Sequence, residues 1–254
     1  MTLAFASLGS GSRGNALLIE SRHCLLMVDC GFSVAGTVKR LARLGRKPED
    51  LTALLVTHEH SDHIAGAARL SRRFGLPVWM TPGTYAQAPD QDFHAAKTFN
   101  CHRTLQIEDI KVTPIPVPHD AREPVQFRFE SRRRRLGVLT DTGHVTPHVE
   151  RALTGCHGLA VEFNHDWDQL WAGSYPWSIK ERVAGPRGHL NNQQAAELIG
   201  KLVHPELAWV VGLHLSERNN SAASVHAVVE KTAGNLGQRL VLADQAEGMD
   251  WCEV

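Results

Sequence analysis

Apolar residues recur along this chain in two rhythms. Short apolar runs bounded by Gly, Pro, Asn, Asp or charged clusters predict strands at Leu3–Leu8, Ala16–Glu20, Leu25–Asp29, Ala53–Thr57, Pro77–Thr81, Val112–Val117, Val125–Phe129, Leu136–Thr140, Leu159–Phe163, Ala208–Leu213 and Leu240–Ala243. Between them, helical spacing places Val34, Val38, Leu41 and Leu44 on one face, and Ala195, Leu198, Ile199 and Leu202 on another, with Asn192 the expected cap of the second helix. Strand–helix alternation broken by strand–strand runs predicts mixed sheets covered by helices, an α/β (α+β) arrangement. No Pro/Gly/Ser-rich linker interrupts it, so residues 1–254 are expected to form one domain.

Composition narrows the picture mainly by exclusion. With 27 Lys+Arg against 27 Asp+Glu, 43% hydrophobic and 21% charged residues, the chain is neither disordered, collagenous nor membrane-spanning. A formal net charge of zero gives no global field toward nucleic acid or lipid, so any such binding has to come from a local patch. Five cysteines (Cys24, Cys30, Cys101, Cys156, Cys252) without a C-x-x-C pair read as reduced, mostly buried thiols. The N-terminal stretch lacks the basic start of a secretory signal, and the cytoplasm is the expected location.

Histidine is the departure: 15 are present, more than the two Tyr, eight Phe and four Met together. An apolar strand ending at Thr57 runs into His58-Glu59-His60-Ser61-Asp62-His63. In extended backbone alternate residues share a face, so His58 and His60 can converge on one ion. Asp62 and His63, opening the helical pattern Ile64, Ala67, Leu70, can address a second. Imidazole and carboxylate donors without thiolate suit Zn²⁺, Mn²⁺ or Fe. Gly9, Gly11 and Gly14 fit G-x-G-x-x-G, yet Asn15–Glu20 continues as a strand and not the helix a dinucleotide fold requires. A tight glycine turn between two strands is expected there.

The segment Thr57–His63 resembles the T-H-x-H-x-D-H signature of the metallo-β-lactamase superfamily, which implies a four-layer αββα sandwich over nearly the whole chain. The resemblance extends to Asp29 as a brace for the histidine loop, His119 as a further ligand, Asp141 as a bridging ligand and His214 as the last ligand. The implied metal set is thus His58, His60, Asp62, His63, His119, Asp141 and His214, holding two divalent ions, Zn²⁺ or Mn²⁺, with a hydroxide between them as nucleophile.

Further blocks, Leu8-Gly9-Ser10-Gly11-Ser12 through Asn15, Asp29-Cys30-Gly31-Phe32-Ser33, Pro118-His119-Asp120-Ala121, Glu162 through Asp166 and Gly188-His189-Leu190, look like the WalJ/YycJ branch, which implies a 5′-to-3′ exonuclease acting on DNA. His214-Leu215-Ser216-Glu217-Arg218 is similar to a block of tRNase Z, where a Glu and a His donate a proton. Glu162 and His189 match those roles. Asp62, Glu162 and His189 form the candidate catalytic set, Asp62 doubling as a ligand. No substrate-clamping arm is found. The alternative is a small-molecule hydrolase of the same fold that opens a thioester or lactone.

Three features stand beside this core. His165 is open between a site role and a buried place in the core. Arg132–Arg135 reads as a solvated hairpin turn, with phosphate tracking as its other reading, shared by Lys180, Arg182, Arg187 and Arg218. Trp167, Trp171, Tyr175 and Trp177 either stack on bases or pack a helix on the sandwich.

Overall fold

The computed structural model describes residues 3–234 and 236–254, so the expectation for Met1 and Thr2 lies outside it. Fourteen strands fill two seven-stranded sheets among these residues. The first holds β1 (Ala4–Gly9), β2 (Ala16–Glu20), β3 (Leu25–Val28), β4 (Ala53–Leu55), β5 (Pro77–Met80) and β6 (Ala95–Thr98). The second holds β7 (Leu105–Ile107), β8 (Ile110–Pro116), β9 (Val125–Ser131), β10 (Arg134–Leu139), β11 (Gly158–Glu162), β12 (Trp209–Leu213) and β13 (Leu240–Leu242), while β14 (Met249–Glu253) returns to the first. The orders are β14-β1-β2-β3-β4-β5-β6 and β13-β12-β11-β10-β9-β8-β7. Each sheet is antiparallel on one side and parallel on the other: β3, β4, β5 and β6 run together, as do β10, β11, β12 and β13.

Period-2 alternation decides which side chains face what. Phe5, Leu17, Ile19, Leu26 and Leu55 meet Val112, Phe127, Phe129, Val138 and Val211 between the sheets. Their neighbours Ala6, Leu18, Met27 and Leu54 point outward, toward α1 (Val34–Arg43), α2 (Ser61–Ile64), α3 (Ala67–Phe74) and α4 (Pro82–Gln87), which supply Leu41, Ile64 and Leu70. On the far side Leu139, Leu159, Val161 and Val210 pack with Val149 and Leu153 of α5 (Pro147–Leu153). Leu170 of α6 (Trp167–Ala172) is also buried, and α7 (Trp177–Ala184) follows it. Leu198 and Ile199 of α8 (Asn192–Leu202) and Val225 and Val229 of α9 (Ala222–Ala233) complete that outer core. The result is the expected helix–sheet–sheet–helix sandwich.

The differences have physical causes. Three strands carried no apolar signature, β6, β7 and β14, because each lies at a sheet edge and leaves much of its surface in water. The second long helix is capped one residue earlier than expected: Asn191, not Asn192, accepts the Gln194 N–H, and Gln194 returns a bond to the Asn191 N–H. The glycine turn joins the antiparallel pair β1 and β2, as its strand context implied. All five cysteines are free, and four are buried.

Candidate metal centre

The expected ligands follow the carboxyl ends of their strands: β4, β10 and β12 of the parallel segments, where open α/β sheets generally place ligands, and the antiparallel β8. His58 and His60 follow β4, Asp62 and His63 sit in α2, His119 follows β8, Asp141 follows β10 and His214 follows β12. Asp29, Asp141 and His214 have φ of 63°, 36° and 53°, left-handed conformations that cost energy outside glycine and gather at functional sites. Two glycines admit the crowding. A Cβ at Gly31 would stand 1.9 Å from the Asp62 carbonyl, and one at Gly143 would stand 2.3 Å from Pro186. The Asp62 loop and the segment leading to His189 can therefore close on the centre.

Two donor groups form there. Atoms of His58, His60 and His119 lie within 4.8 Å of one another, as do those of Asp62, His63, Asp141 and His214. Asp141 stands between the groups, with Oδ2 2.6 Å from His63 Nε2 and 3.4 Å from His58 Nε2, and Oδ1 2.6 Å from His214 Nδ1. Outer partners fix the rings. His63 Nδ1 donates to Asp29 Oδ2 at 2.7 Å, His119 Nδ1 to the Gly188 carbonyl at 3.0 Å and His60 Nε2 to the Asp120 carbonyl at 3.3 Å. Asp29 itself accepts from the backbone N–H and hydroxyl of Thr57. In each ring one nitrogen is thus spent on the protein and the other is turned inward, the arrangement metal-bound imidazoles adopt.

The buried polar atoms test whether a cation suits this set. His58 Nε2 is buried without a hydrogen-bond partner, and the buried ring nitrogens of His214 face carboxylate oxygens, Nδ1 at Asp141 and Nε2 at Asp62, so inward-facing nitrogens and acidic oxygens crowd a space where a cation would meet both. The ring nitrogens and carboxylate oxygens facing inward are hard and borderline donors that fit a divalent ion. The carboxylates and imidazoles also bias one another's charge. Burial opposes charge on His63 and His214, but Asp141 and its acidic neighbours hold both well above the usual histidine range. Burial and the nearby His63 push His58 well below it. Burial also works against charge on Asp141, yet His214 and His63 keep its carboxyl far below the ordinary range.

A third group adjoins the second. His189 Nδ1 lies 3.0 Å from Glu162 Oε2 and 3.5 Å from Asp141 Oδ1. Glu162 is fully buried at the end of β11, and its other oxygen accepts the N–H groups of Thr142 and Leu190. Burial opposes a charged His189, but the two carboxylates outweigh it and push the ring up to about 9. A cleft of about 230 Å³ opens over these groups, bordered by Asn164, Tyr175, Arg182 and Ser216.

The glycine turn plays a part the sequence did not reveal. Asn15 Nδ2 lies 3.2 Å from both Asp62 Oδ2 and His63 Nε2, and its Oδ1 accepts the Gly11 N–H. In the sequence Asn15 stands only as the last letter of a motif, and its reach to Asp62 crosses 47 positions that no local pattern encodes. His165 is 1% exposed, and burial lowers its pKa to about 4. It joins none of the donor groups. Lys180 is taken out of phosphate tracking, because it is buried with Nζ bonded to the Trp171 carbonyl. Arg132 and Arg133 form the turn between β9 and β10, while Arg134 and Arg135 already belong to β10. They lie at the amino end of that strand, about 20 Å from Asp141.

The profile of the beta-lactamase superfamily domain matches residues 25–211. The chain belongs to the metallo-β-lactamase superfamily. Within it, the chain is 33% identical to exodeoxyribonuclease WalJ of Streptococcus pneumoniae, over 97% of this chain and 91% of that protein. It is 34% identical to exodeoxyribonuclease YycJ of Bacillus anthracis, over 96% of each. Among solved structures, the metallo-β-lactamase fold protein YhfI of Bacillus subtilis superposes with a TM-score of 0.77 over 100% of both chains, at 16% identity. That last likeness speaks for the superfamily fold alone.

Proposed function

We propose that this protein is a metal-dependent DNA exonuclease working in the 5′-to-3′ direction, cytoplasmic, and built as one domain over residues 1–254. The observation that carries the reading is Asp141 standing between two histidine groups with the Glu162–His189 pair beside it. Support also comes from relatives named exodeoxyribonucleases along nearly the whole chain.

In this reading His58, His60 and His119 would hold one divalent ion and Asp62, His63 and His214 the other, with Asp141 the carboxylate that faces both groups. Zn²⁺ and Mn²⁺ each suit these donors. The chemistry such a pair supplies when bound is acidification of water toward neutrality and relief of negative charge on a phosphoryl oxygen. The protein's own side chains do the rest. Asp29, the Gly188 carbonyl and the Asp120 carbonyl orient three imidazoles. Glu162, pinned by two backbone N–H groups, keeps His189 oriented and charged. His189 then gives its proton to the departing nucleotide oxygen, which would otherwise leave as a costly alkoxide.

The test is metal-reconstituted protein on DNA and RNA labelled at either end, beside a chromogenic thioester. Stepwise release of nucleotides from the 5′ end of DNA is expected. Thioester turnover with DNA left intact would overturn the reading in favour of a small-molecule hydrolase.

A further inference from the structure

The surface that adjoins the cleft at Ile179 is unlike the rest. Among the described residues the exposed large hydrophobic side chains are Trp167, Trp177 and Ile179, at 50%, 65% and 37% exposure, and all three stand on α6 and α7. Trp171 connects the two tryptophans, its ring centroid 5.6 Å from Trp167 and 4.9 Å from Trp177. Contiguous aromatic surface left in water usually marks something that binds there.

We propose that α6 and α7 form a stacking ledge for the unpaired bases of a polynucleotide whose terminal phosphate lies in the cleft. The proposal rests on the nuclease reading, and continuity is its first support. Tyr175, between the helices, and Ile179 and Arg182 of α7 border the same cleft as His189 and His214. The ledge therefore begins where the chain end would be cut. Its second support is the character of the surface. Asp168 and Glu181 on these helices offset much of their positive charge, so the aromatic faces, not a cationic track, are what this surface offers. Every base has a face that can stack on such rings, whatever the sequence. Arg218 lies over the Tyr175 ring, 5.9 Å from its centroid, where a guanidinium can meet the adjoining phosphate.

The ledge is also anchored. Asp166 caps α6 by accepting the Gln169 N–H, Lys180 Nζ on α7 bonds to the Trp171 carbonyl on α6, and Arg182 pairs with Asp120 at 2.6 Å. The rings are thus presented by fixed helices, which lowers the ordering cost of binding. Bases inside a duplex already stack on one another, so the occupant is a single strand or a frayed end.

Anisotropy of fluorescein-labelled oligo-dT, measured in EDTA, reads binding without turnover. Trp167→Ala and Trp177→Ala are expected to weaken the single-strand Kd by about tenfold each, Trp177→Phe to restore most of it, and KM on single-stranded DNA to rise in parallel. Arg133→Ser on the distant hairpin is the control. Unchanged Kd and KM in the alanine variants, with DNA still cut, would overturn the ledge and leave the nuclease reading standing. Wild-type protein that neither binds nor cuts DNA would overturn both. A wild-type dimer in sedimentation that Trp177→Ala converts to monomer would show this surface covered by a second copy, against the proposal.

Discussion

The hydroxyl of Ser10 accepts the backbone N–H of His214 at 2.9 Å, joining residues 204 positions apart and two different sheets. His214 occupies a left-handed conformation at the end of β12, and this bond satisfies a buried donor there. Ser10→Ala should leave the N–H unpaired, costing roughly 1–3 kcal/mol. Metal affinity should fall as well, because the backbone that holds His214 in its left-handed conformation loses a tie to the first sheet. Thermal unfolding and metal titration check both losses, and unaltered values would reduce the contact to an incidental one.

Asp141→Asn is expected to keep the fold, because asparagine tolerates positive φ and the substitution is nearly isosteric. Turnover should drop by at least about 10²-fold, since the side chain that touches both histidine groups loses its charge. Activity assays with parallel metal analysis decide it. Two ions retained at wild-type turnover would remove Asp141 from the shared position.

Glu162 and His189 can be probed through the leaving group. Losing a positioned proton donor should slow DNA cleavage by roughly 10²–10⁴. Nitrophenolate leaves without a proton, so His189→Ala should damage hydrolysis of bis-nitrophenyl phosphate far less. Glu162→Gln should act in the same direction, and the double variant should be little worse than His189→Ala, because the pair works as one unit. Equal damage to both substrates with falling metal content would instead make His189 a support for the metal centre.

The sheets and the candidate ligands were legible for one reason: central strands are buried on both faces and so consist of apolar runs, and the ligands stand where those runs stop. Leu54-Leu55-Val56 followed by Thr57-His58 is such a junction. The edge strands β6 and β14 were not legible, since half-exposed positions accept Lys97 or Asp250 without penalty. Asn15 and Ser10 were not legible as supports of the centre, because their partners come from distant strands. Asn191 and Asn192 could not be separated by composition; the bond to the Gln194 N–H separates them.

For Arg132–Arg135 the fold favours the solvated turn, because the hairpin stands at the end of β10 opposite Asp141. Replacing all four with Ser should leave the salt dependence of binding unchanged for oligonucleotides too short to span about 20 Å. A slope that falls by about one log–log unit per arginine would show that phosphates reach the far end.

The proposed ligands are divided by the sandwich itself. His58, His60, Asp62 and His63 come from the first sheet and its helices, and His119, Asp141 and His214 from the second. Neither half of the chain holds a full set, so bound ions would act as rivets through the seam and stabilise the docked state by mass action. Metal release then becomes a gauge of how firmly the sheets are pressed together: a substitution that loosens their shared core, far from any histidine, should first be noticed as lost metal, with both sheets still intact.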